Sequence, residues 1–182
     1  MMKWVGRIVA ALVGLLVLAI VVLLALGRRP DAGVNRATIE IARPPAVVWS
    51  WLSEPEKLKQ WVDWLVAVES DTTSPSGVGH REVWVMDDPN MKQQMRLPAT
   101  VTAVDPPRSM SAHIAEPGSF DGDVSYTLED LGNDRTRVTQ LSRFKYTNPL
   151  YVLLEPLVTP EAQKKADSDF AKLKARAEAA AH

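Results

Sequence analysis

Residues 39–61, IEIARPPAVVWSWLSEPEKLKQW, restrict the possible folds more than any other part of the chain. Ile39 and Ile41 alternate with Thr38, Glu40 and Ala42, so a strand here puts the isoleucines on one face and the other three on the opposite face. Pro44 and Pro45 stop the strand ladder, and Pro45 suits a first helical turn, where a missing N–H has no intrahelical partner to lose. Residues 46–52 then read as one or two helical turns, with Val48 and Leu52 on the same side. Ser53 and Glu56 have the spacing of a capping box, which predicts a new helix capped by Ser53 with Pro55 tolerated in its first turn. Strand, helix, kink and helix within about 25 residues is an unusual way to open a domain.

This segment resembles the opening of the START-like SRPBCC superfamily, whose helix-grip fold includes polyketide cyclase/dehydrase-like and lipid-transfer proteins. Those domains begin with a strand, an "APPEKVW" helix start and a "DPEKLPxW" second helix; the counterparts here are ARPPAVVW at 42–49 and SEPEKLKQW at 53–61. VTAVDPPRSM at 101–110 and DRTRVTQLSRFKYTNPLYVLLEPLV at 134–158 agree as well, so the resemblance covers residues 35–180. It implies an α+β helix-grip (START-like) fold. A curved antiparallel sheet of six to seven strands would wrap on a long C-terminal helix, with two short helices after the first strand and a ligand cavity between sheet and helix. The motifs are specific for the fold and weak for the function, because they are structural devices rather than a reacting set.

Ahead of the domain, residues 8–26 contain only Ile, Val, Ala, Leu and Gly. At about 1.5 Å per residue such a helix is roughly 28 Å long, close to the roughly 30 Å hydrocarbon thickness of a bilayer. Lys3, Trp4 and Arg7 precede it and Arg28 and Arg29 follow, as headgroup anchors would. A cleaved signal peptide is the competing reading, with Ala25, Leu26 and Gly27 imitating a cleavage site. The apolar run exceeds the usual 7–15 residues, however, and two arginines follow at once. The expected organisation is a membrane anchor helix at 1–30, a short linker at 31–34 and an SRPBCC/START-like domain at 35–182, in a single-pass membrane protein. The short basic tail favours an extracytoplasmic domain, whereas Arg36 and Arg43 argue the reverse. The absence of cysteine decides nothing about compartment.

Residues after 30 hold all 22 acidic side chains against 17 of the 21 basic ones. A mildly acidic domain without a basic stripe argues against nucleic acid as a partner. The nearest thing to a basic cluster is Arg135, Arg137, Arg143 and Lys145, all on one face of a regular strand. Two readings stand for it: a solvated outer sheet face, or a docking surface for anionic lipid headgroups or an acidic partner.

After the two helices the chain reads mainly as strands, at 63–70, 79–86, 91–104, 109–114, 123–128 and 135–146. The polar loop 71–77 separates the first two, residues 131–134 close a hairpin, and Pro98 implies a bulge or an edge. A turn or two of helix near 150–157 precedes a final helix started by Pro160. That helix carries Ala162, Ala166, Phe170, Leu173, Ala177 and Ala180 on one stripe. Its small residues fit either plain close packing or space left beside the helix, and the resemblance gives the second meaning.

Five tryptophans fall in the domain: Trp49, Trp51, Trp61, Trp64 and Trp84. Trp49 and Trp51 are two apart on a helix and cannot share a face. Trp64 and Trp84 have matching parity on neighbouring strands. With Met86, Met91 and Met95 they suggest an adaptable apolar pocket. The residues expected to line it are Trp64, Trp84, Met95, Leu97, Tyr126, Phe144, Phe170 and Leu173.

Catalytic chemistry is thin. His80 and His113 have no metal-ligand spacing, His182 is terminal, and there is no cysteine nucleophile or G-x-S-x-G elbow. Gly77 and Gly79 do not make a phosphate loop, and Asp121 with Asp123 lacks the rest of a calcium loop. His113, Tyr126 and Glu82 remain as weak acid–base candidates. No metal or cofactor is expected, and the oligomeric state is open. Three functions follow: a membrane-anchored module binding an apolar small molecule such as a lipid, isoprenoid or polyketide-like compound; a cyclase/dehydratase-type enzyme; or a partner-binding module with a filled core. The first is the leading reading, with catalysis not expected.

Overall fold

A computed structural model describes residues 2–74, 77–89 and 93–180; Met91 and His182 lie outside the described residues. The chain begins with α1 (Met2–Leu26), turns, and enters β1 (Val34–Ile41). Two short helices follow, α2 (Pro45–Ser53) and α3 (Pro55–Leu58). Six strands come next: β2 (Leu65–Ser70), β3 (Arg81–Met86), β4 (Met95–Asp105), β5 (Ser109–Glu116), β6 (Phe120–Gly132) and β7 (Arg135–Tyr146). The long helix α4 (Pro149–Ala179) ends the fold. The strands form one seven-stranded antiparallel sheet in the order β1-β7-β6-β5-β4-β3-β2. This is the α+β helix-grip arrangement expected from the opening segment.

The two opening helices form as their prolines dictate, but not through the expected cap. Pro45 occupies the first turn of α2, and Val48, Trp51 and Leu52 are buried beneath it. The capping box does not form: Ser53 ends α2, where its Oγ donates to the Trp49 carbonyl at 2.9 Å, and Glu54 stands at the start of α3. Pro55 supplies the first-turn residue of α3 without any side-chain cap. Trp61 closes the segment, wholly inside, with its Nε1 donating to the Trp51 carbonyl at 2.9 Å. Buried indole thus keeps its one polar group satisfied.

Pro98 does not sit on an edge strand, since β4 lies between β3 and β5. The β4–β5 ladder begins only at Ala99, however, so the residue without an N–H stands where pairing is one-sided. The 131–134 hairpin forms as expected, with Asn133 and Asp134 both left-handed at φ 52° and 55°.

The last helix departs from expectation. It runs unbroken from Pro149, through Pro156 and Pro160, rather than starting at Pro160. Pro156 has no N–H to give the Val152 carbonyl four residues back. Gly27, just past α1, packs against that same carbonyl: a Cβ at Gly27 would lie 1.9 Å from the Val152 oxygen. On the next inward turn Glu155 is completely buried. Its carboxylate accepts from the Arg29 guanidinium at 2.7 and 3.2 Å and from the Gly33 amide at 2.9 Å. The segment between α1 and β1 is therefore bonded down along α4.

Removing one partner of such a buried pair strands the other charge. Glu155→Ala should lose about 3 kcal/mol of stability. Glu155→Gln, which still accepts from the Gly33 amide, should lose less. Chemical denaturation of the detergent-solubilised chain, followed by tryptophan fluorescence, measures both; equal stability of Glu155→Ala and the native chain would contradict this account.

Candidate ligand-binding site

Residues directly opposite each other in an antiparallel ladder project to the same side of the sheet. Tyr126 pairs with Gln140 and with Met110, and Trp84 pairs with Leu97. Met86 pairs with Met95, and Ala37 of β1 with Gln140. All of these face α4, whose inward stripe is the predicted one, with Phe170, Leu173 and Ala177 buried. The Phe170 ring stacks on Tyr126 at 6.5 Å and meets the edge of Trp61 at 6.1 Å. Trp84, Met95, Leu97 and Tyr126 are packed against the same cluster from its half-buried margin.

Six of the eight expected lining residues are thus brought together: Trp84, Met95, Leu97, Tyr126, Phe170 and Leu173. Phe144 has the right parity but packs on Phe120, 5.4 Å away, at the end of the sheet nearest α1. Trp64 falls outside. It precedes β2 with a left-handed φ of 70°, is 37% exposed, and lies beneath the Lys165 ammonium at 5.0 Å. A bulge between Leu65 and Ala67 adds a residue to this end of β2, so the alternation read from the sequence does not carry back to Trp64.

Beneath the second half of α4 the space is occupied by side chains, with Phe170 and Leu173 at 2% and 0% exposure. Two surface cavities stand out, and neither lies there. One, of about 400 Å³, crosses β2–β4 at residues 69–71, 81–83 and 98–100. The other, of about 760 Å³, lies between the α1–β1 turn, the end of the β6–β7 hairpin and the start of α4. The inner-face residues left only half-buried, Trp84, Met95 and Leu97 on β3–β4 and Met110 and Tyr126 on β5–β6, mark a candidate trough at the margin of the core.

Few polar groups border this trough. Burial raises the Tyr126 hydroxyl above its ordinary value, with the negative charge of Asp169 adding to the effect. Asp169 is itself raised by burial, against the opposing hydrogen bond from Lys165, and it accepts from the Asp63 amide at 3.1 Å. Glu82 shares the face of Trp84 and accepts its indole N–H. Deeper under α4, the Gln140 amide donates to the Ser142 hydroxyl at 3.1 Å. Nearby, the buried Asn35 Oδ1 has no hydrogen-bond partner among the described residues. Met110, Gln140 and Asn35 were absent from the expected set. Their signal is pairing register, which a single strand's periodicity does not contain.

His113 is not in the trough. It pairs with Asp123, one residue out of phase with Tyr126, and so faces the outer surface of the sheet. There Nδ1 lies 3.1 Å from Asp123 and Nε2 lies 3.3 Å from Asp121. The three acid–base candidates therefore do not converge. No group of three or more His or carboxylate residues placed to hold a metal occurs among the described residues.

The outer face also carries the basic cluster, as its odd numbering predicts. Arg135 and Arg137 are held by Glu40, and Arg137 also by Glu129 at 2.7 Å. Arg143 and Lys145, toward the α1 end, have no ion pair among the described residues. The hydrogen bond to Asp123, and then the charges of Asp121 and Asp123, raise His113 above its ordinary 6.5. Its folded value exceeds its unfolded one, so the resulting stabilisation is full below about pH 6.5 and is lost as pH rises through the raised value. A histidine NMR titration should place His113 above 6.5, and Asp123→Asn should bring it down; a midpoint unmoved by that substitution would break the assignment.

The fold has many solved relatives. A protein of Thermus thermophilus, TTHA0849, superposes with a TM-score of 0.66 at 22% identity, covering 82% of this chain and 99% of its own. The Mycobacterium smegmatis protein Ms6760 gives 0.57 at 22% identity, covering 80% and 91%. The di-domain ARO/CYC BexL from the BE-7585A biosynthetic pathway gives 0.63 at 14% identity, covering 80% of this chain and 46% of BexL. Among curated proteins no sequence matches significantly. At these identities the likeness establishes the fold alone. A family model described as polyketide cyclase / dehydrase and lipid transport matches residues 35–178, nearly the whole domain after α1. The chain belongs to that polyketide cyclase/dehydrase and lipid-transport family.

Proposed function

We propose that the chain is a membrane-anchored module that binds an apolar small molecule, such as a lipid, isoprenoid or polyketide-like compound, along the inner face of its sheet. The observation that carries this reading is the half-buried apolar group Trp84, Met95, Leu97, Met110 and Tyr126, packed at the margin of the buried core on the inner face of the sheet. Residues 1–30 form the anchor, 31–34 the connection and 35–182 the binding domain. The anchor is supported by α1, which from Trp4 to Leu26 is long and apolar enough to cross a membrane and buries none of that length in the domain. The short basic tail supports a domain outside the cytoplasm.

Binding would draw on apolar burial at about 25 cal/mol per Å², before ordering is subtracted. Selectivity would come from the few polar groups at the margin, Tyr126 and Glu82 nearest and Gln140 and Asn35 deeper. Because Phe170 and Tyr126 stack across the trough's floor, a bulky ligand would have to lie over them or turn them aside.

A cyclase-type enzyme is the second reading. Its support is Tyr126, a hydroxyl that faces the trough, although burial raises it further from neutral pH and so weakens it as a proton donor. Neither of the other two acid–base candidates orients it: Glu82 is engaged with Trp84, and His113 is on the other side of the sheet.

Mass spectrometry of the extracted, detergent-purified full chain should find an apolar molecule at near-stoichiometric level. Ala112→Phe, which fills the trough beside Val124 from β5, should remove most of it while leaving the far-ultraviolet spectrum unchanged. An empty native chain that also fails to bind added fatty acids or isoprenoid alcohols would end the binding reading. Tyr126→Phe should weaken binding only by about the worth of one hydrogen bond, ~1 kcal/mol, whereas loss of a measured turnover in that variant would favour the enzyme.

A further inference from the structure

The first ten residues of α4, PLYVLLEPLV, point the wrong way for a water-soluble helix. Val152, Glu155 and Thr159 face inward and are buried. At 100° per residue, Leu150 and Leu157 stand directly opposite them, with Val158 and Tyr151 to one side. All four of these are exposed, Leu150 and Leu157 at 57% and 61%. Beyond Val158 the same outward face turns polar at once, with Glu161 and Lys164 exposed and paired with each other. An apolar face that ends at a sharp line marks a partner surface rather than scattered exposure.

Three observations say what covers it. The patch adjoins the exit of α1: Gly27 is closed against Val152, and Arg29 is fixed to Glu155, so the patch is held at the level where α1 ends. α1 itself is apolar and exposed except at the half-buried Leu23 and Leu24 near its end, so the two exposed apolar surfaces adjoin. The adjoining 760 Å³ cavity is lined by Arg28, Arg143 and Lys145, none of which has a carboxylate partner among the described residues. Its acidic lining residues, Asp121 and Asp123, are turned to His113. Free cations beside an apolar face with a tyrosine at its rim match the chemistry of an anionic bilayer surface.

We propose that the Pro149–Val158 face of α4 lies in the interfacial layer of the membrane that α1 enters, with Arg28, Arg143 and Lys145 over anionic headgroups. The domain then rests on the bilayer rather than standing off it. This rests on the reading of α1 as a membrane span. The hairpin tip at Asn133 would point into water, since the twelve residues of β7 extend roughly 36 Å from that end.

The chain has no cysteine, so single cysteines can carry a spin label directly. Full-length Val17→Cys, Leu157→Cys and Asn133→Cys are reconstituted into vesicles of phosphatidylcholine with phosphatidylglycerol. Collision with oxygen, which concentrates in lipid, is compared with collision with a water-soluble nickel chelate. Labels at 17 and 157 should favour oxygen, and the label at 133 the chelate. Raising the phosphatidylglycerol fraction should shift the 157 label deeper, and Arg143→Ala with Lys145→Ala should abolish that shift. If the 17 label is in lipid and the 157 label meets the chelate freely, the docking proposal fails and the anchor stands. If both meet the chelate, the anchor reading fails with it. A 157 label shielded from both agents, with dipolar broadening between labels, would overturn the proposal in favour of a second copy of the chain. A depth that ignores lipid charge would overturn the role given to the cations.

Discussion

The arrangement turns on one carboxylate. Glu155 is wholly buried in an apolar stretch of helix, a position that only paired charges and hydrogen bonds make tolerable. It accepts from Arg29 and from the Gly33 amide, and Gly33, at φ 70°, returns its carbonyl to the Phe144 amide at 3.0 Å. A Cβ at Gly33 would lie 2.2 Å from the Phe144 oxygen, so the turn admits no side chain. The exit of α1, the start of α4 and the end of β7 are thereby bonded into one corner. Without that corner, residues 27–33 would be a tether and α1 would swing freely. With it, the direction of α1 is set by the same contacts that set α4 on the sheet.

From this corner α4 crosses the sheet with its apolar stripe turned inward, and strand register decides what it meets. On β6 and β7 it meets Tyr126, Leu128 and Val138, which close against Phe170 and Leu173 into a filled core. Toward β3 and β4 the same inner face continues as Trp84, Leu97 and Met95, only half covered. Core and trough are therefore one surface under two degrees of cover. Along α4, the small Ala166 packs at the margin of this core and Phe170 fills its depth.

The overall fold was legible because its signals are local. Double proline before an aromatic helix, alternation along each strand and the glycine-bearing hairpin at 131–134 each act within a few residues. The inward stripe of α4 was legible for the same reason. The missing parts depend on contacts far apart in sequence. The capping box at Ser53 and Glu56 has the right spacing, yet α2 continues through Ser53 because Trp51 and Leu52 are buried beneath it. Pro160 reads as the start of a separate final helix, yet α4 runs through it and through Pro156, the carbonyl freed by Pro156 being covered by Gly27 from another element. Parity puts Trp64 on the inner face, and His113 stands only as a weak acid–base candidate. A bulge displaces the first from its face, and the second has the wrong phase relative to Tyr126, which only the β5–β6 register reveals.

On the proposed reading, the position of the trough changes the physics of selection. An apolar molecule in the neighbouring bilayer is already out of water, so moving it onto Trp84 and Leu97 gains little from the hydrophobic effect itself. Close attachment raises the local concentration of such molecules for the domain, and it does so for all of them alike. Discrimination is left to packing shape and to the few polar groups: the protonated Tyr126, the Gln140–Ser142 pair and the unpartnered Asn35 oxygen.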